Sequence, residues 1–439
     1  MNVLVIGSGG REHALVWKLA QSPRVHALWC APGNAGIPLE KCAANGSSAQ
    51  CAPVGAEDLP ALSLFARENK INLTVVGPDN SLARGIVDHF QREGLRIWGP
   101  NQNAARFESS KVFAQEFMER HGIPTARAGS FSEPQAAREF AMSLGGRCAV
   151  KADGLALGKG VVLCAGPEDA ERAIGEIMVE SKFGSAGRQV VIQEFLEGME
   201  ISTHAICDGK TALLFPTSQD HKRLGDHDTG PNTGGMGAYS PTPFVTRAQL
   251  EEIEQKILAP WLSGCAAEGI DFRGILYPGI MLTATGPKVL EFNARFGDPE
   301  TQVYLPRLEN DLIDVLEASL AGELDKLRLR WKPQATVCVV MASAGYPGQI
   351  ASGKEIHGLD EVARMENVKV FHAGAARKGD RTVTSGGRVL GVTAWDTDLR
   401  QARERAYRAV AKIEFEGAQV RRDIGNKALG DNGPLQEGG

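Results

Sequence analysis

The sequence has no excess of positive charge: 48 Lys and Arg stand against 53 Asp and Glu, for a formal net charge of -5. That balance supplies no general attraction to nucleic acid or to an anionic membrane. Apolar runs are short, and none approaches the roughly 18 residues that would span a bilayer. The opening residues, Met1 to Gly7, carry neither a basic n-region nor a small-residue cleavage site, and read as a strand rather than a signal peptide. The 8 cysteines are scattered without a Cys-x-x-Cys pair, several of them inside apolar strands. That excludes a disulfide-built miniprotein and points to buried free thiols in a reducing cytoplasm. The 9 histidines contain no His-x-x-x-His pair, which argues against a zinc site. There is no internal repeat, no low-complexity block and no Ser-His-Asp or Cys-His candidate for a protein nucleophile.

Glycine is what the chain has in excess. Its 51 glycines are about 12 per cent of the residues, against a usual share of roughly 7 per cent. They follow no three-residue period, so collagen is excluded, and they cluster instead. Length predicts about three domains. Short apolar runs at 2–6, 25–30, 71–76 and 95–98 alternate with helical stretches at 12–21 and 59–69. That alternation predicts a doubly wound α/β domain on a parallel sheet over 1–108. Residues 109–123 are expected to form a connecting helix with Phe113, Phe117 and Met118 on one face, closed by Gly122 and Pro124. A small α+β lid lobe is expected over 124–190, a larger lobe over 191–327 and a β-rich domain over 328–425. The tail, 426–439, is expected to fray.

The first cluster, Gly7 to Glu12, fails as a dinucleotide fingerprint. Its sixth position is Glu12, and the place for the ribose-binding acid holds Cys30-Ala31-Pro32. A phosphate turn assisted by Arg11 and a plain tight turn both remain open. The second, Asp153 to Gly160, fails as a Walker A at both ends and lies between two strands. It is either a flexible hairpin with a solvated lysine or a tip that can close over a triphosphate, with Lys151 behind it and Lys159 on it. The third, Asp228 to Tyr239, reads as a long polar loop inside a folded domain, a length that is usually functional or disordered. In the fourth motif, Lys288 to Glu300, strand alternation puts Glu291, Asn293 and Arg295 on one face and Leu290, Phe292 and Ala294 on the buried other. A carboxylate and an amide oxygen on one face can hold Mg²⁺, and an Arg one step along can neutralise a phosphoryl group in transfer. Lys111 lies in the first turn of its helix, where the dipole disfavours a cation unless an anion is near. In isolation Val190 to Glu200 reads as a strand ending in a solvated acidic loop.

Together these motifs resemble the glycinamide ribonucleotide synthetase family of ATP-grasp carboxylate–amine ligases. The resemblance runs over Val3–His13, Ala31–Gly36, Val150–Val161, Thr217–Tyr239, Glu291–Glu300, His372-Ala373-Gly374 and Gly386–Leu390, almost the whole chain. It implies an ATP-grasp fold between an N-terminal doubly wound domain and a C-terminal β-rich domain. It implies an ATP-dependent ligation of glycine to 5-phosphoribosylamine through glycyl phosphate, the second step of de novo purine synthesis. ATP and Mg²⁺ or Mn²⁺ are then required, and a cytoplasmic monofunctional monomer is expected, with no nucleic-acid or membrane partner.

By motif, the resemblance makes Glu291 and Asn293 the metal ligands and Arg295 and Lys151 the catalytic residues. Lys111 and Lys151 hold the ATP phosphates under the lid of Gly154, Gly158, Lys159 and Gly160. Glu194, Phe195 and Leu196 form the adenine hinge, and Glu200 reaches the ribose. Asp220, Lys222, Thr233, Gly234, Gly235 and Arg295 surround glycine and the phosphoribosyl group, with Gly9, Gly10, Arg11 and Asn34 facing the sugar from the N-terminal domain. The chain departs from the family pattern at Gln193, where a Glu is common, and at Asp79, where the family's turn ends in Glu. The strand expected before Glu291, Ile275–Leu282, carries no acid, so only two protein ligands are expected. Competing readings are a formate- or bicarbonate-using ATP-grasp ligase, an NAD-dependent oxidoreductase and a non-catalytic nucleotide sensor. The 217–239 stretch, the missing acid after the second strand, and intact Glu291, Asn293 and Lys151 weigh against them in turn.

Overall fold

The computed structural model describes residues 1–155 and 160–430. The N-terminal strand β1 (Asn2–Gly7) is buried at every position after Asn2 and lies at the centre of a parallel sheet with β2 (Ala27–Pro32), β3 (Gln50–Cys51), β4 (Leu73–Val76) and β5 (Ile97–Trp98), in the order β3-β2-β1-β4-β5. Two-sided burial explains why the central strands β1 and β4 are near-continuous apolar runs rather than alternating ones. Helix α1 (Gly10–Ala20) follows β1 directly and packs against Glu300–Tyr304 and the C-terminal sheet, so nearly all of it is buried.

Helix α2 (Lys111–Arg120) is capped by Ser110, whose Oγ accepts the Phe113 amide at 3.1 Å. It presents Phe113 and Phe117 to an aromatic core built around Phe107, Trp261, Phe272 and Phe292. The lid lobe is an antiparallel sheet of β6 (Ala128–Phe131), β7 (Cys148–Ala152), β8 (Val161–Cys164) and β9 (Val190–Glu194), in the order β6-β9-β7-β8. The hairpin between β7 and β8 is the Gly-rich tip; Gly158 and Lys159 lie outside the described residues. A second antiparallel sheet has the long strand Arg273–Thr283 at its centre, between Met199–Ser202, Ala205–Asp208 and Gly286–Asn293. All 8 cysteines are free; Cys51 is exposed and the others are buried.

Three local expectations are corrected. The stretch 228–239 is not one loop: Thr229–Asn232 pairs with Arg223–Gly225, and Gly237–Ser240 pairs with Ala335–Ala342 of the C-terminal sheet. Leu290 leaves the buried face, because a bulge lets Gly279 pair with Glu291 while the next residue, Ile280, pairs with Val289. The extra residue reverses the alternation, so Val289 is buried while Leu290 turns to the cleft. The start of the tail is also folded, while 431–439 of the expected frayed tail lie outside the described residues. Asn426–Leu429 forms a helical turn after Gly425 (φ 86°), anchored by Lys427 on Asp228.

Candidate active site

The lid sheet, the central antiparallel sheet and the C-terminal lobe enclose a cleft of about 1240 Å³. One end is apolar, lined by Ala149, Val161, Leu163, Val191, Met281 and Leu290, beside the segment Glu194–Leu196. A flat heterocycle suits such a slot, with a small number of polar groups fixing its orientation. The Glu194 carboxylate accepts the Arg127 amide at 2.9 Å, and Phe195 lies under the Arg147 guanidinium, 4.4 Å from its ring centroid. Gln193 is buried and donates to the Gln115 side chain at 2.9 Å.

The other end is charged. Lys151 projects from β7 and donates to the Leu290 carbonyl at 2.8 Å; Lys111 donates to the Gly154 carbonyl at 2.8 Å. The helix dipole that disfavours Lys111 is met by Asp153, whose carboxylate accepts the Val112 amide at 3.2 Å and ties the lid hairpin to α2. Glu291 and Asn293 lie on the strand Gly286–Asn293, opposite Gly279 and Tyr277. Burial alone would raise the Glu291 carboxyl, but Lys222, Lys151, Lys111 and Arg295 pull it down to about 2. Burial pushes Lys151 down to about 8, with Glu291 opposing. Lys222 bonds Glu200 and stands 3.8 Å from Glu291. Burial works against its charge, but Glu200 and Glu291 hold its pKa above the ordinary lysine value.

This donor set suits a hard divalent cation. The carboxylate is ionised, and the Asn293 amide oxygen carries only a long 3.4 Å contact from Arg295. Among the described residues no three His, Cys, Asp or Glu side chains converge as a metal cluster. A cation held by Glu291 and Asn293 would therefore complete its shell with phosphate oxygens and water, as Mg²⁺ does at nucleotide sites.

The cleft brings together Lys111, Lys151, Gly154, Gly160, Glu194, Phe195, Leu196, Glu200, Asp220, Lys222, Thr233, Gly234, Glu291, Asn293 and Arg295. Gly9, Gly10, Arg11, Asn34 and Gly235 do not line it. The Asn34 amide nitrogen is committed to the carbonyls of Ser8 and His372, each at 2.8 Å, and its oxygen accepts Gly36 N–H. Arg11 bonds Glu12 at 2.6 Å and the Phe296 carbonyl at 3.0 Å. The Glu12 carboxylate folds back onto the Gly9 amide at 2.6 Å. The residue that spoils the dinucleotide fingerprint thus supplies the anion at the start of α1. Gly235 has φ 109°, and a Cβ there would stand 2.6 Å from Pro299 Cδ and 2.7 Å from Asp220 Oδ1; its bare backbone lets those residues close in.

Residue reasoning missed Glu108, Asp298 and Glu300, all on the cleft wall. Glu108 binds the Arg295 guanidinium and the Ala294 amide, both at 2.8 Å. Glu300 accepts from Tyr277 Oη at 2.5 Å, and burial, with Glu300 next, pushes Asp220 well above the usual carboxylate range. Asp298 and Glu300 stood inside a recognised motif, and Glu108 three residues before Lys111 had no signal of its own. Asp79 also lines the cleft.

Family models place this architecture. The N domain of phosphoribosylglycinamide synthetase matches residues 1–108, its ATP-grasp (A) domain 109–301 and its C domain 336–427. The chain belongs to the phosphoribosylglycinamide synthetase family. A phosphoribosylamine–glycine ligase of Vibrio cholerae is 48% identical over 430 residues, covering 98% of this chain and 99% of that protein. One from Caldanaerobacter subterraneus is 47% identical over 424 residues, covering 97% and 99%. The crystal structure of phosphoribosylamine–glycine ligase from Thermotoga maritima superposes with a TM-score of 0.79 at 33% identity, covering 97% of this chain and 100% of that one. As a phosphoribosylglycinamide synthetase family member the chain is an ATP-grasp ligase, with α/β architecture in the N-terminal domain and antiparallel sheets in the rest.

Proposed function

We propose that this protein ligates glycine to 5-phosphoribosylamine at the expense of ATP, giving glycinamide ribonucleotide, ADP and phosphate. The observation that carries this is one cleft with an apolar slot at one end and an ionised Glu291 among Lys111, Lys151, Lys222 and Arg295 at the other. Adenine enters the slot beside Glu194–Leu196. Lys111 and Lys151 face the phosphate chain, and the hairpin from Gly154 to Gly160 covers it. Glu291 and Asn293 would hold Mg²⁺ or Mn²⁺, which would offset phosphate charge when bound.

The glycine carboxylate attacks the γ-phosphorus, the bond to the ADP oxygen breaks, and glycyl phosphate forms. The sugar amine then attacks the glycyl carbonyl carbon and phosphate leaves with the acyl C–O electron pair. Neither step needs a protein nucleophile. What the protein supplies is alignment and fixed positive charge where negative charge moves. Arg295, held by Glu108, stays charged: burial would lower its pKa, but Glu108 raises it above the ordinary value. Asp220, Lys222 and the turn Thr233–Gly234 frame the non-nucleotide substrates. Gly9, Gly10, Arg11 and Asn34 face the sugar phosphate from the N-terminal domain, and Gly235 completes the turn beside Thr233 and Gly234. The enzyme acts as a cytoplasmic monomer.

A substrate-omission panel with mass detection tests this. Phosphate release should require ATP, glycine, the sugar amine and a divalent ion together, with glycinamide ribonucleotide as product. Turnover with bicarbonate or formate in place of glycine would sink the assignment.

A further inference from the structure

The motif Gly386-Gly387-Arg388 has no part in the reaction just described, yet its geometry is tightly built. A Cβ on Gly374 would lie 2.5 Å from Gly386 Cα, and one on Gly387 would lie 2.4 Å from the Tyr346 ring. Gly374 N–H donates to the Arg388 carbonyl at 2.8 Å. Bare backbone at these positions lets two segments meet and sets the start of the strand Arg388–Asp396. From there the Arg388 guanidinium reaches out of the C-terminal lobe. Its Nη1 donates to the carbonyls of Gly234 at 2.5 Å and Asp298 at 2.6 Å, and its Nη2 pairs with the Asp298 carboxylate at 3.2 Å. Tyr346 joins the same contact, its hydroxyl accepting the Gly234 amide at 2.9 Å.

Gly234 and Asp298 line the cleft, whereas Arg388 does not. We propose that Arg388 is a positioning residue that locks the turn 233–235 to the turn 297–299, so that the C-terminal lobe sets the geometry of the non-nucleotide half of the cleft. This rests on the ligase reading above. A planar guanidinium can serve several oxygens in fixed directions, which a lysine ammonium cannot reproduce. Among the described residues no hydrogen bond or ion pair joins Lys111, Lys151 or Glu194–Leu196 to this clamp, so its loss should be felt selectively.

The test compares wild type with Arg388→Lys, Arg388→Ala and Tyr346→Phe. Glycine and phosphoribosylamine are varied separately, and MgATP binding is measured by calorimetry. Misplacing the two turns should lower kcat/KM for both non-nucleotide substrates by about 10- to 100-fold in the Arg388 variants, with MgATP affinity within about twofold of wild type. Tyr346→Phe should show the same selectivity with a loss of only a few-fold. Guanidinium ion added to Arg388→Ala should restore part of the rate. Amide hydrogen exchange at 233–236 and 298–301 should quicken in both Arg388 variants without any substrate present. Unchanged exchange there, near-wild-type kcat/KM, or a parallel loss of ATP affinity overturns the proposal. Should the alanine variant fail to fold, the lysine variant carries the same readouts. A wild type that makes no glycinamide product while the exchange result holds would sink the ligase reading and leave the clamp standing.

Discussion

Binding of MgATP at alkaline pH should draw a proton onto Lys151. In the unliganded cleft this side chain is only 6% exposed, and its ammonium has the Leu290 carbonyl at 2.8 Å. Burial lowers its pKa from 10.5 to about 8; Glu291 pulls the other way, while Lys111 and Lys222 add to the fall. A drop of that size is roughly 3 kcal/mol against the charged form, at 1.36 kcal/mol per unit. Phosphate oxygens placed beside the ammonium restore the charge. Lys151 is about half neutral at pH 8, so binding should take up about 0.5 proton there, about 0.1 at pH 7 and about 0.9 at pH 9. Calorimetry in buffers of different ionisation enthalpy measures that uptake. Heats that do not depend on the buffer at pH 8–9, or uptake that persists in Lys151→Met, would refute the reasoning. The sign for stability follows from the same shift. Between pH 8 and 10.5 the unfolded chain holds more of this proton than the folded one. The stability of the unliganded protein, relative to Lys151→Met, should therefore rise by up to about 3 kcal/mol across that window, with the full penalty present below it.

Glu291→Gln should leave the fold intact and cut metal-dependent turnover by orders of magnitude; a near-wild-type rate at low Mg²⁺ is the refuting result. Since the Glu291 carboxyl is held at about 2, its ionisation should leave no inflection in the rate between about pH 5 and 9. Gly235→Ala should cost about 1–3 kcal/mol in denaturant unfolding, because φ 109° and the contacts with Pro299 and Asp220 both oppose a side chain. Phe107→Ala, at the centre of the aromatic core, should cost about 3–5 kcal/mol, and a loss under about 1 kcal/mol would show that core to be far more adaptable than its packing implies.

The parts of the site legible in the sequence are those written in short-range patterns. Strand alternation put Glu291 and Asn293 on one face, and the strands flanking the Gly-rich hairpin put Lys151 beneath it. Resemblance over long motifs then gave those residues roles. Alternation failed at Leu290 because one bulge reverses the faces, and the bulge is set by pairing with Arg273–Thr283 rather than by any residue of the strand itself. Glu108 was invisible because its meaning lies in Arg295, far along the chain and adjacent only after folding.

Local patterning by itself determined the parallel N-terminal sheet, the lid hairpin and the carboxylate–amide pair, because each depends on residues within one or two elements. Only the tertiary structure decided that Asn34 spends its amide on the His372 carbonyl. It also decided that Gly237–Ser240 crosses to the C-terminal sheet, with Lys427 reaching the cleft and Arg388 standing behind its wall. Those outcomes rest on contacts between segments about 100 or more residues apart, such as Gly237 with Val339 and Asn34 with His372, whose partners no periodicity along one segment can reveal.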